Sequence, residues 1–238
     1  MKKIIIVLAI LLFGGTVCYA DDLYLDKETQ YQKMVMQIGF KILNANRIEK
    51  RMTFRYNNSK IVNAWANSQN KEITVNKGIL PYFDDDNEIA GVISHEIAHG
   101  LDFYDGYFKR ISIGLTQKKF EEKADKKAVD YMVNAGYNPL GYIIAINKIS
   151  GEPNWYELYT SHPKGSKRLA YIYEYIYKKY PAFLVNNDYK DNIYYQNFLL
   201  TSQDARAKVR EEMKSKSFQN VNYTQPADKE NKQTQNKV

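Results

Sequence analysis

The chain has 238 residues, 44% of them hydrophobic and 26% charged, with a formal net charge of +7. A single cysteine excludes an internal disulfide framework, and a positive excess this mild, in a protein sent out of the cytoplasm, suggests attraction to anionic envelope surfaces more than nucleic-acid binding. Beyond the first twenty residues no stretch approaches the roughly eighteen apolar residues of a membrane-spanning helix.

At the start, Lys2 and Lys3 precede an unbroken apolar run from Ile4 to Phe13, followed by Gly14-Gly15-Thr16. This is the pattern of a secretory signal peptide, and Cys18-Tyr19-Ala20 supplies small residues at the two positions a signal peptidase reads. Cleavage is expected after Ala20. It removes the only cysteine, excludes thiol-protease chemistry and lowers the formal charge to +5. An uncleaved anchor is the alternative, whereas a lipid on Cys18 fits less well because Val17 is bulkier than the Gly, Ala or Ser usual at that position. The expected organisation is a signal peptide at 1–20, one domain at 21–217 and a polar tail at 218–238, in a chain exported to the periplasm or another extracytoplasmic space.

Between Lys27 and Lys50 the residues Tyr31, Met34, Val35, Ile38, Ile42 and Leu43 recur at helical spacing, which predicts an amphipathic opening helix. Three β-rich pieces follow, Met52 to Tyr56, Ile61 to Ala66 and Ile73 to Val75. Turn-prone clusters divide them, so a small antiparallel sheet is expected. A helix then starts near Asp85, where Asp85 and Glu88 have capping-box spacing and Ile89, Val92, Ile93 and Ile97 form an apolar face. Another covers about Lys118 to Ala135 and stops at Gly136, with Pro139 beyond. After Pro163 the alternating Tyr171, Tyr173, Tyr175 and Tyr177 resemble a strand, but Leu169, Ile172, Ile176 and Tyr180 give a helical stripe, and helix is preferred. From about Ser217 the chain is Asn, Gln and Lys with little to bury, which predicts disorder.

Within the helix at Asp85 lies His95-Glu96-Ile97-Ala98-His99. Positions i and i+4 share a helix face, so the two imidazoles can hold one tetrahedral metal with Glu96 beside it as general base. Zinc is the expected metal, one per chain, because it acidifies a bound water from pKa 15.7 to about 7. A catalytic site of this type needs a third protein ligand. Asp102 and Asp105 stand where a metzincin has Gly and His, so a glutamate from a second helix is the better solution. Glu121 and Asp125 are spaced i, i+4 in Glu121-Glu122-Lys123-Ala124-Asp125, allowing the first to bind metal while the second holds a histidine ring by its other nitrogen. Glu122 is the fallback ligand. Ala124 and Ala128 would let the two helices approach.

These residues resemble metallopeptidase family forty-eight, which includes the CAAX prenyl endoproteases and soluble periplasmic chaperone-proteases. Asn63-Ala64-Trp65-Ala66, Ile73-Thr74-Val75 and Gly78-Ile79-Leu80 look like the strands and turn before its active-site helix. The His-Glu-Ile-Ala-His motif, Glu121 to Asp125 as Glu-x-x-Ala-Asp, Ala135-Gly136-Tyr137-Asn138-Pro139, and His162-Pro163 with Arg168 follow in the same order. The resemblance spans Lys33 to Tyr175. Only 21 residues separate His99 from Glu121, fewer than in many relatives, which favours a compact soluble form.

The resemblance implies an α+β zincin-like fold and a zinc metalloendopeptidase acting on unfolded or extended proteins, in envelope quality control. It further implies that a substrate strand could add to a sheet edge near Asn63 to Ala66, while Trp65 could equally be plain core. His162 and Arg168 join Glu96 as catalytic candidates. His162 could donate to the oxyanion, close the open zinc position as a latch, or merely cap the following helix. The rival class is a zinc-bearing chaperone or binding module with little turnover, and an enzyme for one partner or for wall-linked peptides is a further alternative. A free carboxylate at Glu96 argues for the enzyme, since a structural zinc site has no use for one.

Overall fold

The computed structural model describes residues 25–67, 69–104, 117–150 and 165–222. The expected signal peptide and His162 lie outside the described residues. Helix α1 (Lys27–Ala45) is capped by Asp26, whose carboxylate accepts from the backbone of Glu28 and Thr29. Strands β1 (Thr53–Asn57), β2 (Ala64–Asn67) and β3 (Glu72–Asn76) follow, then a 3-10 helix (Lys77–Tyr82) and the long helix α2 (Asp86–Tyr104). Helices α3 (Gln117–Asn134), α4 (Leu140–Ile149), α5 (Gly165–Lys179), α6 (Ala182–Val185), α7 (Ile193–Thr201) and α8 (Gln203–Asn222) complete the described chain. This is an α+β arrangement, and among the described residues no helix is long and apolar enough to cross a membrane. The expected polar tail, 218–238, overlaps the end of α8, and its remainder lies outside the described residues.

The sheet corrects one expectation. Its order is β1-β3-β2, with β2 antiparallel to β3 but β1 parallel to it, so the sheet is mixed rather than antiparallel. The cause lies in residues 58–63, which carry the chain across the end of β3 instead of turning back beside β1. Asn76, the last residue of β3, pins that crossover: its Nδ2 donates to the Ile61 carbonyl at 3.1 Å and its backbone N–H to the Asn63 carbonyl at 3.0 Å. Ile61 to Asn63, expected in a strand, belong to this crossover, and β2 begins only at Ala64.

The outer edge of β1 is occupied by a side chain. Gln32 of α1 donates through Nε2 to the Phe54 carbonyl at 3.0 Å and accepts through Oε1 from the Tyr56 N–H at 2.7 Å. One amide thus satisfies the donor and acceptor that a neighbouring strand would otherwise engage.

One core joins the sheet to the helices. Val35, Ile38, Ile42, Ile73, Val75, Ile89, Ile93, Ile97, Met132 and Ile143 are all buried in it. Helix α3 lies along α2, and Ala124 and Ala128 are fully enclosed at the contact, as their size predicts. At the end of α3, Gly136 adopts φ +73°, while the N–H of Tyr137 bonds the Met132 carbonyl and that of Gly136 the Val133 carbonyl. That pattern closes a helix on a left-handed residue, which glycine adopts without steric cost. The tyrosine-rich segment is helical in α5, burying Leu169, Ile172 and Ile176.

The start of α2 is held from several directions. Asp85 accepts from the N–H groups of Asn87 and Glu88, giving the expected cap. Glu88 does not close the reciprocal half of a capping box on Asp85; it is fully buried and faces Lys148 of α4, whose Nζ lies 2.8 and 2.7 Å from its two oxygens and 2.7 Å from Asp84 Oδ2. Burial pushes the Glu88 carboxyl up and Lys148 pulls it back; Lys148 in turn is held up by Asp84 and Glu88 against its own burial.

Lys148→Met would enclose the Glu88 carboxylate without this counter-ion, an expected loss of about 3–5 kcal/mol in denaturant unfolding. Adding Glu88→Leu to that background should restore most of the loss. The single variant's deficit should also shrink as the pH falls and the buried carboxyl takes a proton.

Candidate metal centre

Helix periodicity places His95 and His99 one turn apart on the face of α2 that meets α3. Their Nε2 atoms stand 3.0 Å apart, with the rings perpendicular. From α3, Glu121 brings Oε2 to 3.3 Å from His95 Nε2 and Oε1 to 3.2 Å from His99 Nε2. All three residues are buried, and their donor atoms converge on one point. Zinc takes nitrogen ligands at about 2.0–2.1 Å, which puts neighbouring corners of a tetrahedron about 3.3 Å apart. The two imidazoles and one carboxylate therefore suit zinc in both chemistry and spacing, and among the described residues they supply three of its four corners. Glu122, the fallback ligand, turns away and pairs with Lys126 at 2.7 Å.

Behind the donors, Asp125 sits one turn beyond Glu121 with Oδ1 3.0 Å from His95 Nδ1. Asp125 thus faces the ring nitrogen opposite the one that His99 and Glu121 approach. Arg168 reaches in from the first turn of α5. Its Nε and Nη2 donate to Asp125 at 2.7 to 3.1 Å, and Nη2 also donates to the Tyr142 hydroxyl at 2.7 Å. The guanidinium lies against His95, with Nη2 3.2 and 3.1 Å from its two ring nitrogens, and it also holds the Asp125 carboxylate that faces Nδ1. Tyr142 was not among the sequence candidates, because a tyrosine inside the apolar stretch Leu140–Ile149 reads as core. Only its hydroxyl, given a partner across the fold, separates it from its neighbours.

Electrostatics follow from burial and these partners. Burial opposes charge on His95, and so does Arg168, but hydrogen bonds to Asp125 and Glu121 outweigh both and hold the imidazole up at about 9. His99 moves down, through burial and then through the charge on His95. Burial acts to raise Asp125, yet Arg168 and His95 hold its carboxyl well below the usual carboxylate range. Without metal, therefore, His95 carries a proton on each nitrogen at neutral pH. One faces Asp125, and the other side of the ring faces the neutral His99, Glu121 and the Arg168 guanidinium.

Glu96 lies beside the donors on α2, 5% exposed, and makes no hydrogen bond among the described residues. Asp102, one turn past His99, accepts from Lys123 and Lys127 of α3 at 3.1 Å each. It clamps the two helices together just beyond the donor cluster. Phe120 stacks near His99, with ring centroids 5.2 Å apart.

A family model described as Peptidase family M48 matches residues 28–102. That interval covers the sheet and α2 as far as Asp102, and so includes His95, Glu96 and His99. Glu121, Asp125, Tyr142 and Arg168 lie past it and are brought to the site by the fold. No curated protein matches the chain. Over that interval, under a third of the chain, the sequence is similar to this family of metallopeptidases.

Two outcomes are expected from the geometry. Glu121→Ala should lose bound metal in elemental analysis while Glu122→Ala keeps it. Zinc binding near pH 7 should displace about one proton, from His95, and that release should fade as the pH passes about 9. Affinity should accordingly rise with pH and level off above that value. Calorimetry in buffers of different ionisation enthalpy measures the proton count.

Proposed function

We propose, on the premise of membership in the M48 metallopeptidase family, that this chain is a zinc-dependent endopeptidase that cleaves unfolded or extended polypeptides. The observation that carries the reading is the convergence of His95, His99 and Glu121 at tetrahedral spacing, with an uncommitted carboxylate, Glu96, beside them. One zinc ion is held by these three donors. When bound it supplies Lewis acidity, polarising a carbonyl and lowering the pKa of water from 15.7 to about 7.

Glu96 is the general base. It takes a proton from the attacking water and returns it to the leaving amine nitrogen as the carbon–nitrogen bond breaks, so its charge is restored at the end of each turnover. His95 and His99 contribute as neutral imidazoles. Asp125 keeps the proton of His95 on Nδ1, which leaves Nε2 free for the metal, and Arg168 is a positioning residue that acts through Asp125. His162 is reserved for a role at the reacting carbonyl or at the open metal position, as the family resemblance suggests.

Action outside the cytoplasm, on damaged envelope proteins, is supported by the pattern from Lys2 to Ala20. An extended substrate strand lying near Asn63 to Ala66 would bind mainly through its backbone, with little demand on sequence. That suits a housekeeping protease more than one dedicated to a single partner.

The test is incubation of the purified protein with an unfolded substrate, with and without a chelator. Cleavage should depend on metal, and Glu96→Gln should retain zinc while losing about two to four decades of rate. Stoichiometric zinc with no cleavage by the wild type would point instead to a binding module.

A further inference from the structure

Tyr142 is 1% exposed, and Gly91 of α2 admits it to the site. A Cβ placed on Gly91 would lie 2.6 Å from the Tyr142 Cβ, so any larger residue there would displace the tyrosine. Its ring passes beside His95, with centroids 6.1 Å apart, and its hydroxyl ends among charged groups. It donates to Asp125 Oδ1 at 2.8 Å and accepts from Arg168 Nη2 at 2.7 Å. A phenol has one proton to give, and here that proton is directed to the carboxylate because the arginine can only donate. Packing alone would leave the hydroxyl free to bond any nearby carbonyl; its partner is instead the group that faces His95 Nδ1.

We propose that Tyr142 is a positioning residue of the metal centre, whose hydroxyl bridges Arg168 and Asp125 and so fixes the carboxylate that aims His95 Nε2 at the metal. The proposal rests on the reading that His95, His99 and Glu121 hold zinc. Arg168 does not suffice for this task. Its Nη2 also lies 3.2 and 3.1 Å from the two ring nitrogens of His95, and the tyrosine oxygen offers that nitrogen a fixed acceptor away from the ligand. The bridge ties three helices, α3, α4 and α5, to one ring of α2.

The decisive variant is Tyr142→Phe, which keeps the ring against Gly91 and removes one oxygen. Zinc affinity, measured by competition with a chromogenic chelator, should fall about tenfold to a hundredfold, as for other groups that orient a metal-bound histidine. The melting temperature of the metal-free protein should change much less than the rise that added zinc produces. Tyr175→Phe removes a tyrosine hydroxyl bonded to Asp130 rather than to the site, and should leave zinc affinity unchanged. Gly91→Ala, which pushes the ring aside with its hydroxyl intact, should weaken zinc in the same way as Tyr142→Phe and serves if that variant does not fold. Equal zinc affinity in wild type and in either site variant would overturn the proposal, as would an equal loss in Tyr175→Phe. Failure of the wild type to bind zinc at all would overturn the parent reading instead.

Discussion

The carboxylate of Asp125 is the point on which the site depends. It is buried on α3, faces His95 on α2, and receives Tyr142 from α4 and Arg168 from α5. A buried carboxylate is tolerated only when its charge and lone pairs are answered, and here four helices must be in register for that to happen. The same condition that makes the group stable inside the protein gives His95 its orientation. Metal geometry and helix packing are thus one constraint, met or broken together.

The pattern extends along α2. Glu88, His95 and Asp102 recur every two turns on one face, and each meets charge from another helix: Lys148 from α4, Glu121 and Asp125 from α3, and Lys123 with Lys127 again from α3. Residues seven apart on an α-helix share a face, so this polar seam runs through an otherwise apolar interface. The metal donors form its middle rung. Both neighbouring rungs are ion pairs that resist sliding or rotation of α2 against its partners. A donor cluster with separations near 3 Å needs such restraint, because misplacement by an ångström would spoil the tetrahedron.

What could be read from the chain divides along range of interaction. His95, Glu96 and His99 were legible because a helix repeat fixes which side chains share a face, and the pairing of Glu121 with Asp125 was legible by the same rule. Ala124 and Ala128 forecast the close approach of α3 to α2 by size alone. The parallel pairing of β1 was not legible: it depends on the crossover at 58–63 and on Asn76, whose bonds to Ile61 and Asn63 leave no local periodic trace. Arg168 was singled out only by the resemblance of His162-Pro163 and Arg168 to a family element, and its engagement with Asp125 needs the packing of α5 against α3. Tyr142 left no signal, since a tyrosine among Leu140, Ile143, Ile144 and Ile146 is indistinguishable from core until its hydroxyl has a partner.

Gln32 has a consequence of a different kind. A three-stranded sheet exposes two edges, and an unprotected edge is a template on which other chains can polymerise. By occupying the Phe54 carbonyl and the Tyr56 N–H, the Gln32 amide makes the β1 side a dead end for strand addition. A sheet blocked on one side cannot propagate through successive molecules, even if the β2 side accepts a strand. For a protein proposed to work among unfolded, aggregation-prone chains, one glutamine on α1 thereby takes from the β1 edge the two groups that an incoming strand would need first.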